Sequence, residues 1–293
     1  MTAAITNLLS ILDLERLEHN LYRGRSPSKG WGRVYGGQVI SQALVAAQRT
    51  VAAERHVHSL HCYFMLGGDP TIPIIYQVDR LRDGGSFTTR RVTAIQNGAA
   101  IFSLECSFQV EEQGLEHQIP MPSGVPQPEE MKSQIELVDE IGLYVPDPVR
   151  RFWQKERPLE IRPVVTEHYT TRDRLPPYQS VWIRISGEVP NDRPLQSALL
   201  AYLSDMTLLD TANLAHGRNA FDPQLQMASL DHAMWFHRPH SLDDWLLYVQ
   251  DSPNSIGSRG LSRGFLYGRD GQLVASVAQE GLIRLRTAPN NKA

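Results

Sequence analysis

The stretch "ASLDHAMWFHRP", Ala228–Pro239, places Ser229, Asp231 and His232 within four positions of one another. These are the parts of a Ser-His-Asp nucleophile, in which histidine takes the serine proton and aspartate orients the ring. The apolar residues around them predict a strand, and strand geometry tests the idea. Side chains alternate, so Ser229, Asp231, Ala233, Trp235 and His237 share one face while Leu230, His232, Met234 and Phe236 share the other. Neighbours on one face stand roughly 6.6 Å apart, at 3.3 Å rise per residue, too far for a direct bond between short side chains. A bulge would rearrange this, and no glycine marks one. The spacing predicts that His232 points away from Ser229 and Asp231, and that Asp231, His232 and the Trp235-Phe236 pair build the strand.

Two other patterns invite chemistry and lose it on context. "GLSRG", Gly260–Gly264, fits the G-x-S-x-G pattern around Ser262. That motif acts on a strand-to-helix turn above an oxyanion hole. Here "FLYGRDGQLVASV" follows, which reads as a hairpin, so Ser262 is expected to be a strand serine. His237 with His240 and His58 with His61 both read H-x-x-H. Neither is followed by the carboxylate or cysteine set that zinc requires, and on a strand such a pair splits across faces. No metal site is expected. Polar residues on otherwise apolar elements remain: Asp205 at the end of "PLQSALLAYLS" and Gln279 inside "VASVAQEGLIR". A carboxylate at a helix C-terminus is disfavoured by the dipole. With Ser229, the two supply a carboxylate, a carboxamide and a hydroxyl on three elements, a set able to hold and activate one water without a covalent intermediate.

The elements that must position these groups repeat along the chain. Ile74–Val110 reads as three strands joined by turns at Asp83-Gly84-Gly85 and Asn97-Gly98. Leu246–Ile283 has the same rhythm, with its last turn at Asp270-Gly271 and with Arg263 at an offset of 173 from Arg90. Asn-Gly and Asp-Gly between alternating apolar runs are strong hairpin signals. Upstream of each trio lies a strand with an aromatic pair, Tyr63-Phe64 or Trp235-Phe236. Before each of those lies a small-residue helical run, Gly36–Gln48 or Pro194–Ser204, the second with Asp192 as its cap. An almost wholly apolar helix must be buried, and an antiparallel sheet has one face to offer it. The fold class expected is α+β: a curved antiparallel sheet wrapped round a long central helix, made twice in tandem. Twelve of the nineteen prolines fall between Pro120 and Pro194, which marks a connector. The division expected is residues 1–115, a proline-rich linker with a helix over 116–155 ("SQIELVDEIGLYV"), and residues 156–293 carrying the catalytic set. "RPLEIRPVV" and "SVWIRISGEV" are expected to be strands of the second unit.

Composition excludes several classes of function. A net charge of −3 leaves no basic footprint for nucleic acid. Two cysteines, Cys62 and Cys106, make neither a zinc ribbon nor a disulfide framework and fit a reducing compartment. The first residues, "MTAAITNLLSILDLER", lack the basic start of a signal peptide and predict a short amphipathic helix on Leu8, Leu9, Ile11 and Leu12. Uncharged runs such as Gly36–Gln48 and Val92–Leu104 are too short and too polar to cross a bilayer. "APNNKA" reads as a loose tail without the Ser-Lys-Leu peroxisomal address. The bacterial cytoplasm is the expected compartment.

The chain resembles the type II acyl-CoA thioesterase family along nearly its whole length. The matching stretches include "VYGGQVISQAL", "VHSLHCYF", "LRDGGSFTTRRV", "AYLSDM", "ASLDHAMWFHRP" and "VASVAQEGLIR". The resemblance implies the double hotdog fold and hydrolysis of medium- or long-chain acyl-CoA to fatty acid and CoA. It also implies a catalytic set of Asp205, Ser229 and Gln279. Serine stands here where the bacterial archetype has threonine. Asp205 would deprotonate a water that Ser229 and Gln279 hold, and neither a metal nor another cofactor is required. In the first half Thr50 lies near the position of Asp205 and Cys106 at that of Gln279, so one site per chain is expected. Exposed sheet edges suggest a homodimer or homotetramer. Two other readings are a hotdog enoyl-CoA hydratase, which requires a His a few residues after the Asp, and a non-catalytic acyl-CoA-binding protein. "DMTLLDTANLAH" has no such His before His216.

Overall fold

The computed structural model describes residues 2–27, 32–141 and 147–286. Its first unit contains α1 (Ala3–Leu12), β1 (Glu15–Glu18), β2 (Leu21–Gly24), α2 (Gly36–Gln48), β3 (Arg55–Phe64), β4 (Ile74–Asp83), β5 (Phe87–Gln96) and β6 (Ala99–Val110). The connector carries α3 (Gln134–Ile141) and α4 (Asp147–Trp153). The second unit contains β7 (Leu159–Pro163), α5 (Glu167–Thr170), β8 (Tyr178–Ile185), α6 (Arg193–Ser204), α7 (Thr211–Leu214), β9 (Leu225–Ser229) and β10 (Asp231–Phe236). It closes with β11 (Leu246–Ile256), β12 (Arg259–Gly268) and β13 (Leu273–Leu285). The "GLYV" end of the expected connector helix and the "APNNKA" tail lie outside the described residues.

All strands join one thirteen-stranded antiparallel sheet. Its order is β1-β2-β4-β5-β6-β3-β10-β13-β12-β11-β8-β7, with β9 paired on β13. Read outward from the β3–β10 seam, the two halves have the same order, so the duplication in sequence is a duplication in space. Tyr76 faces Ala94 across β4–β5, and Tyr248 faces Leu266 across β11–β12. Both tyrosines are wholly buried. The same register pairs Arg90 with Cys106 and Ser262 with Gln279. The matched offset on this strand is therefore 172, and Arg263 corresponds to the exposed Arg91, not to Arg90. Arg90 points inward and is buried, where its guanidinium meets Asp83 and Thr50.

Local chemistry accounts for the elements. Asn97 and Gly98 both adopt positive φ, 50° and 76°, as a tight two-residue hairpin turn requires. Asp192 caps α6 by accepting the Leu195 N–H at 2.9 Å. Every residue of α2 from Gly37 to Ala47 is buried, because the helix packs on β4, β5 and β6 and against α6. α1 turns Ile5, Leu8, Ile11 and Leu12 into the same core. Between the two helices the chain has no room for side chains: a Cβ on Gly37 would stand 2.3 Å from the Tyr202 carbonyl oxygen.

Candidate active site

The antiparallel packing of α2 and α6 brings the first residues of α2 to the last of α6. Asp205 is the C-cap of α6, the place Arg49 takes on α2, with Thr50 next along the chain. Its Oδ2 accepts the Gly37 N–H at 2.9 Å. The carboxylate that the α6 dipole disfavours is thus met by the favourable end of α2. Burial pushes the Asp205 carboxyl up to about 7, and hydrogen bonds from Gly37 and the Gln279 side chain hold it back from rising further. The phenols of Tyr35 and Tyr248, the Cys62 thiol and Asp210 all feel its charge. Asp210 is likewise raised to about 7, first by burial and then by Asp205.

Ser229 and Gln279 arrive from the sheet. The Gln279 Nε2 donates to Ser229 Oγ at 2.7 Å, and the same carboxamide lies near enough to Asp205 to favour its charged form. The three candidate residues are therefore gathered into one cluster. Asp205 and Ser229 line a cleft of about 470 Å³, walled by Val39, Phe64, Ile101, Phe102 and Leu230 and rimmed by Arg33. The loop behind Asp205 is held under strain. Thr207 sits at φ 66°, which costs a β-branched residue on the order of 1–3 kcal/mol. Gln250 bonds its hydroxyl at 2.7 Å and Gln179 its carbonyl at 3.1 Å.

The structure corrects the alternation expected through Ala228–Pro239. The stretch is two strands, not one. On β13, Gly281 faces Ser229 and Ala278 faces Ala233, so four steps on one side match three on the other. This is a β-bulge at Leu230–Asp231. Leu230 N–H donates to the Glu280 carbonyl at 2.9 Å, and the Asp231 carboxylate accepts the Glu280 N–H at 2.6 Å. An acidic side chain completes the disturbed ladder, where a glycine had been the signal sought. The extra residue inverts the parity, so Ser229 and His232 both meet Gln279. His232 is 1 % exposed; its Nδ1 lies 2.7 Å from Gln279 Oε1 and its Nε2 3.0 Å from Ser204 Oγ. It is the site residue that sequence reasoning left in the strand, and Asp231 next to it was the available clue.

Ser262 lies on β12 in a hairpin, wholly buried, with no helix following it. His237 bonds Ser276 and His61 stacks edge-on with Trp235. Among the described residues no three His, Cys, Asp or Glu side chains are grouped to hold a metal ion. No helix there is long and apolar enough to cross a membrane.

A sheet wrapped twice round a helix, with one carboxylate–carboxamide–hydroxyl cluster at the crossing, is the double hotdog arrangement. A family model described as "Acyl-CoA thioesterase" matches residues 149–282, and one described as "Acyl-CoA thioesterase N-terminal domain" matches residues 25–109. The chain is 39% identical to acyl-CoA thioesterase 2 of Haemophilus influenzae over 97% of its own length and 99% of that protein's. It is 41% identical to acyl-coenzyme A thioesterase 8 of Homo sapiens, covering 94% of this chain and 88% of the other. The crystal structure of an acyl-CoA thioesterase II, TesB2, from Mycobacterium marinum superposes with a TM-score of 0.78 at 41% identity, covering 96% and 99% of the two chains. A hot dog fold protein from Alicyclobacillus acidocaldarius shares the fold at 16% identity and TM-score 0.77. The chain belongs to the acyl-CoA thioesterase family.

Proposed function

We propose that the protein hydrolyses medium- and long-chain fatty acyl-CoA to free fatty acid and CoA, with Asp205 as general base. The observation that carries this reading is that Asp205 and Ser229 both line an apolar cleft, with the Gln279 carboxamide donating to Ser229 behind them. Asp205 takes a proton from a water held by the Ser229 hydroxyl, which Gln279 orients, as the water oxygen attacks the thioester carbonyl carbon. Gly36, the first residue of α2, lines the same cleft, and the amides of a helix's first turn have no partner within the helix. Its N–H is suited to receive the negative charge that develops on the carbonyl oxygen. Collapse of the tetrahedral intermediate expels the CoA thiolate, which takes up the proton. No step requires a metal.

The apolar walls suit a hydrocarbon chain, and Arg33 at the rim supplies positive charge for CoA phosphates. The free edge strands β1 and β7 support self-association into homodimers or homotetramers, which sedimentation measures. A role in lipid metabolism in the cytoplasm accords with this chemistry. The test is thiol release over a series of acyl-CoA lengths, run beside hydration of an enoyl-CoA. Thiol release from palmitoyl-CoA with no hydration is the expected result. Hydration without thiol release makes the protein a hydratase, and binding without either makes it a carrier.

A further inference from the structure

The Gln279 carboxamide works only one way round. Its Nε2 must face Ser229 and the Asp205 carboxylate, which in the ionised form that acts as a base only accepts. Its oxygen then faces His232, and something must stop a half-turn of the amide that would exchange the two ends. A neutral imidazole carries one N–H, and which nitrogen bears it is set by the partners. Burial lowers the His232 pKa to about 4, so the ring is neutral at working pH. With the proton on Nδ1 it donates to Gln279 Oε1, and the bare Nε2 faces the Ser204 hydroxyl at 3.0 Å, whose single proton the Ala201 carbonyl at 2.9 Å also accepts.

The fold does not need these polar groups. At the matching place in the first half, β3 and β6 bring Leu60 opposite Cys106, both buried. The register places Leu60 at the position of His232 and Cys106 at that of Gln279. The same junction is thus built once from apolar groups and once from a histidine and a carboxamide that had to be desolvated. We propose that His232 is the positioning residue of this site: as the Nδ1–H tautomer it donates to Gln279 Oε1 and so keeps the carboxamide Nε2 turned toward Ser229 and Asp205. Gln279 thereby occupies a lone pair of Ser229 and leaves the serine's own proton free for the cleft.

The inference rests on the proposed general base, and its test separates the two. His232→Leu copies Leu60 and removes the lock; His232→Asn keeps an N–H near the Nδ1 position. His232→Leu is expected to lower kcat about 100-fold, the scale of a misplaced reacting group, with KM nearly unchanged. It also moves the acidic limb of kcat/KM to higher pH, because Asp205 loses a donor that stabilises its charged form. His232→Asn restores kcat to within several-fold and returns the limb. Imidazole ¹⁵N shifts of the unmodified protein, which depend on no variant folding, should show His232 protonated at Nδ1 alone from pH 5 to 8. An Nε2–H tautomer overturns the proposal, as does a His232→Leu protein with normal kcat, or equal loss in both variants with an unmoved limb. Full turnover by Asp205→Asn sinks the general-base reading itself.

Discussion

Asp205 is held in a place that costs stability. Its carboxyl titrates near 7 in the fold and near the ordinary carboxylate value when unfolded. A raised folded pKa contributes stability that is present below the unfolded value and lost as pH rises through the folded one. Between about pH 4 and 7 the native state therefore weakens, because the unfolded chain releases the Asp205 proton that the folded protein retains. Asp205→Asn should raise Tm at pH 8, by roughly 2–4 °C for each kcal/mol of relieved burial, and the gain should vanish near pH 4. A variant less stable at pH 8 would contradict the burial argument, and calorimetry at the two pH values decides it. The residues of this cluster were only partly legible beforehand. Asp205, Ser229 and Gln279 lie 24 and 50 positions apart and meet only through packing, so no spacing rule joins them. Polar residues on apolar elements were a general signal, and the family resemblance made it specific. His232 escaped because one bulged residue reverses the face of everything after it.

The helices meet where glycines permit it. A Cβ on Gly37 strikes the Tyr202 carbonyl oxygen, and one on Gly36 stands 2.7 Å from Asp205 Oδ2. Gly37→Ala is expected to destabilise the fold by about 1–3 kcal/mol, as overpacking does, read from the urea midpoint. Gly36→Ala meets the carboxylate itself and should lower kcat by a larger factor than its stability change accounts for. Unchanged kinetics in Gly36→Ala would contradict the close approach. Elements were the most legible scale. α2 runs from Gly36 to Gln48 as the composition predicts, and the Asn97-Gly98 turn takes the two positive φ values its residues favour. The left-handed Thr207 gave no sign, because a β-branched residue is the last expected there and tertiary bonds from Gln179 and Gln250 hold it.

The molecule uses one plan twice and equips only one copy. In the first unit Leu60, Cys106 and the inward Arg90 stand where the second has His232, Gln279 and Ser262. Arg90 fills that space with a guanidinium satisfied by Thr50, Asp83 and carbonyls of Arg82 and Thr89. Cys106→Ala should leave turnover unchanged, and inhibitor titration should count one site per chain; a second equivalent of sites would contradict the asymmetry. The duplication was visible in the turns and helices. The seam of β3 on β10 was not, since pairing between distant strands leaves no mark in either strand alone.

The general base is tested most directly by the pH dependence of kcat/KM for palmitoyl-CoA hydrolysis in the native enzyme and in Asp205→Asn. The account predicts a rate that rises with pH to a plateau above about 7 as Asp205 loses its proton, and a variant lower by about 10²-fold or more on that plateau. A variant that turns over palmitoyl-CoA at the native rate would contradict it.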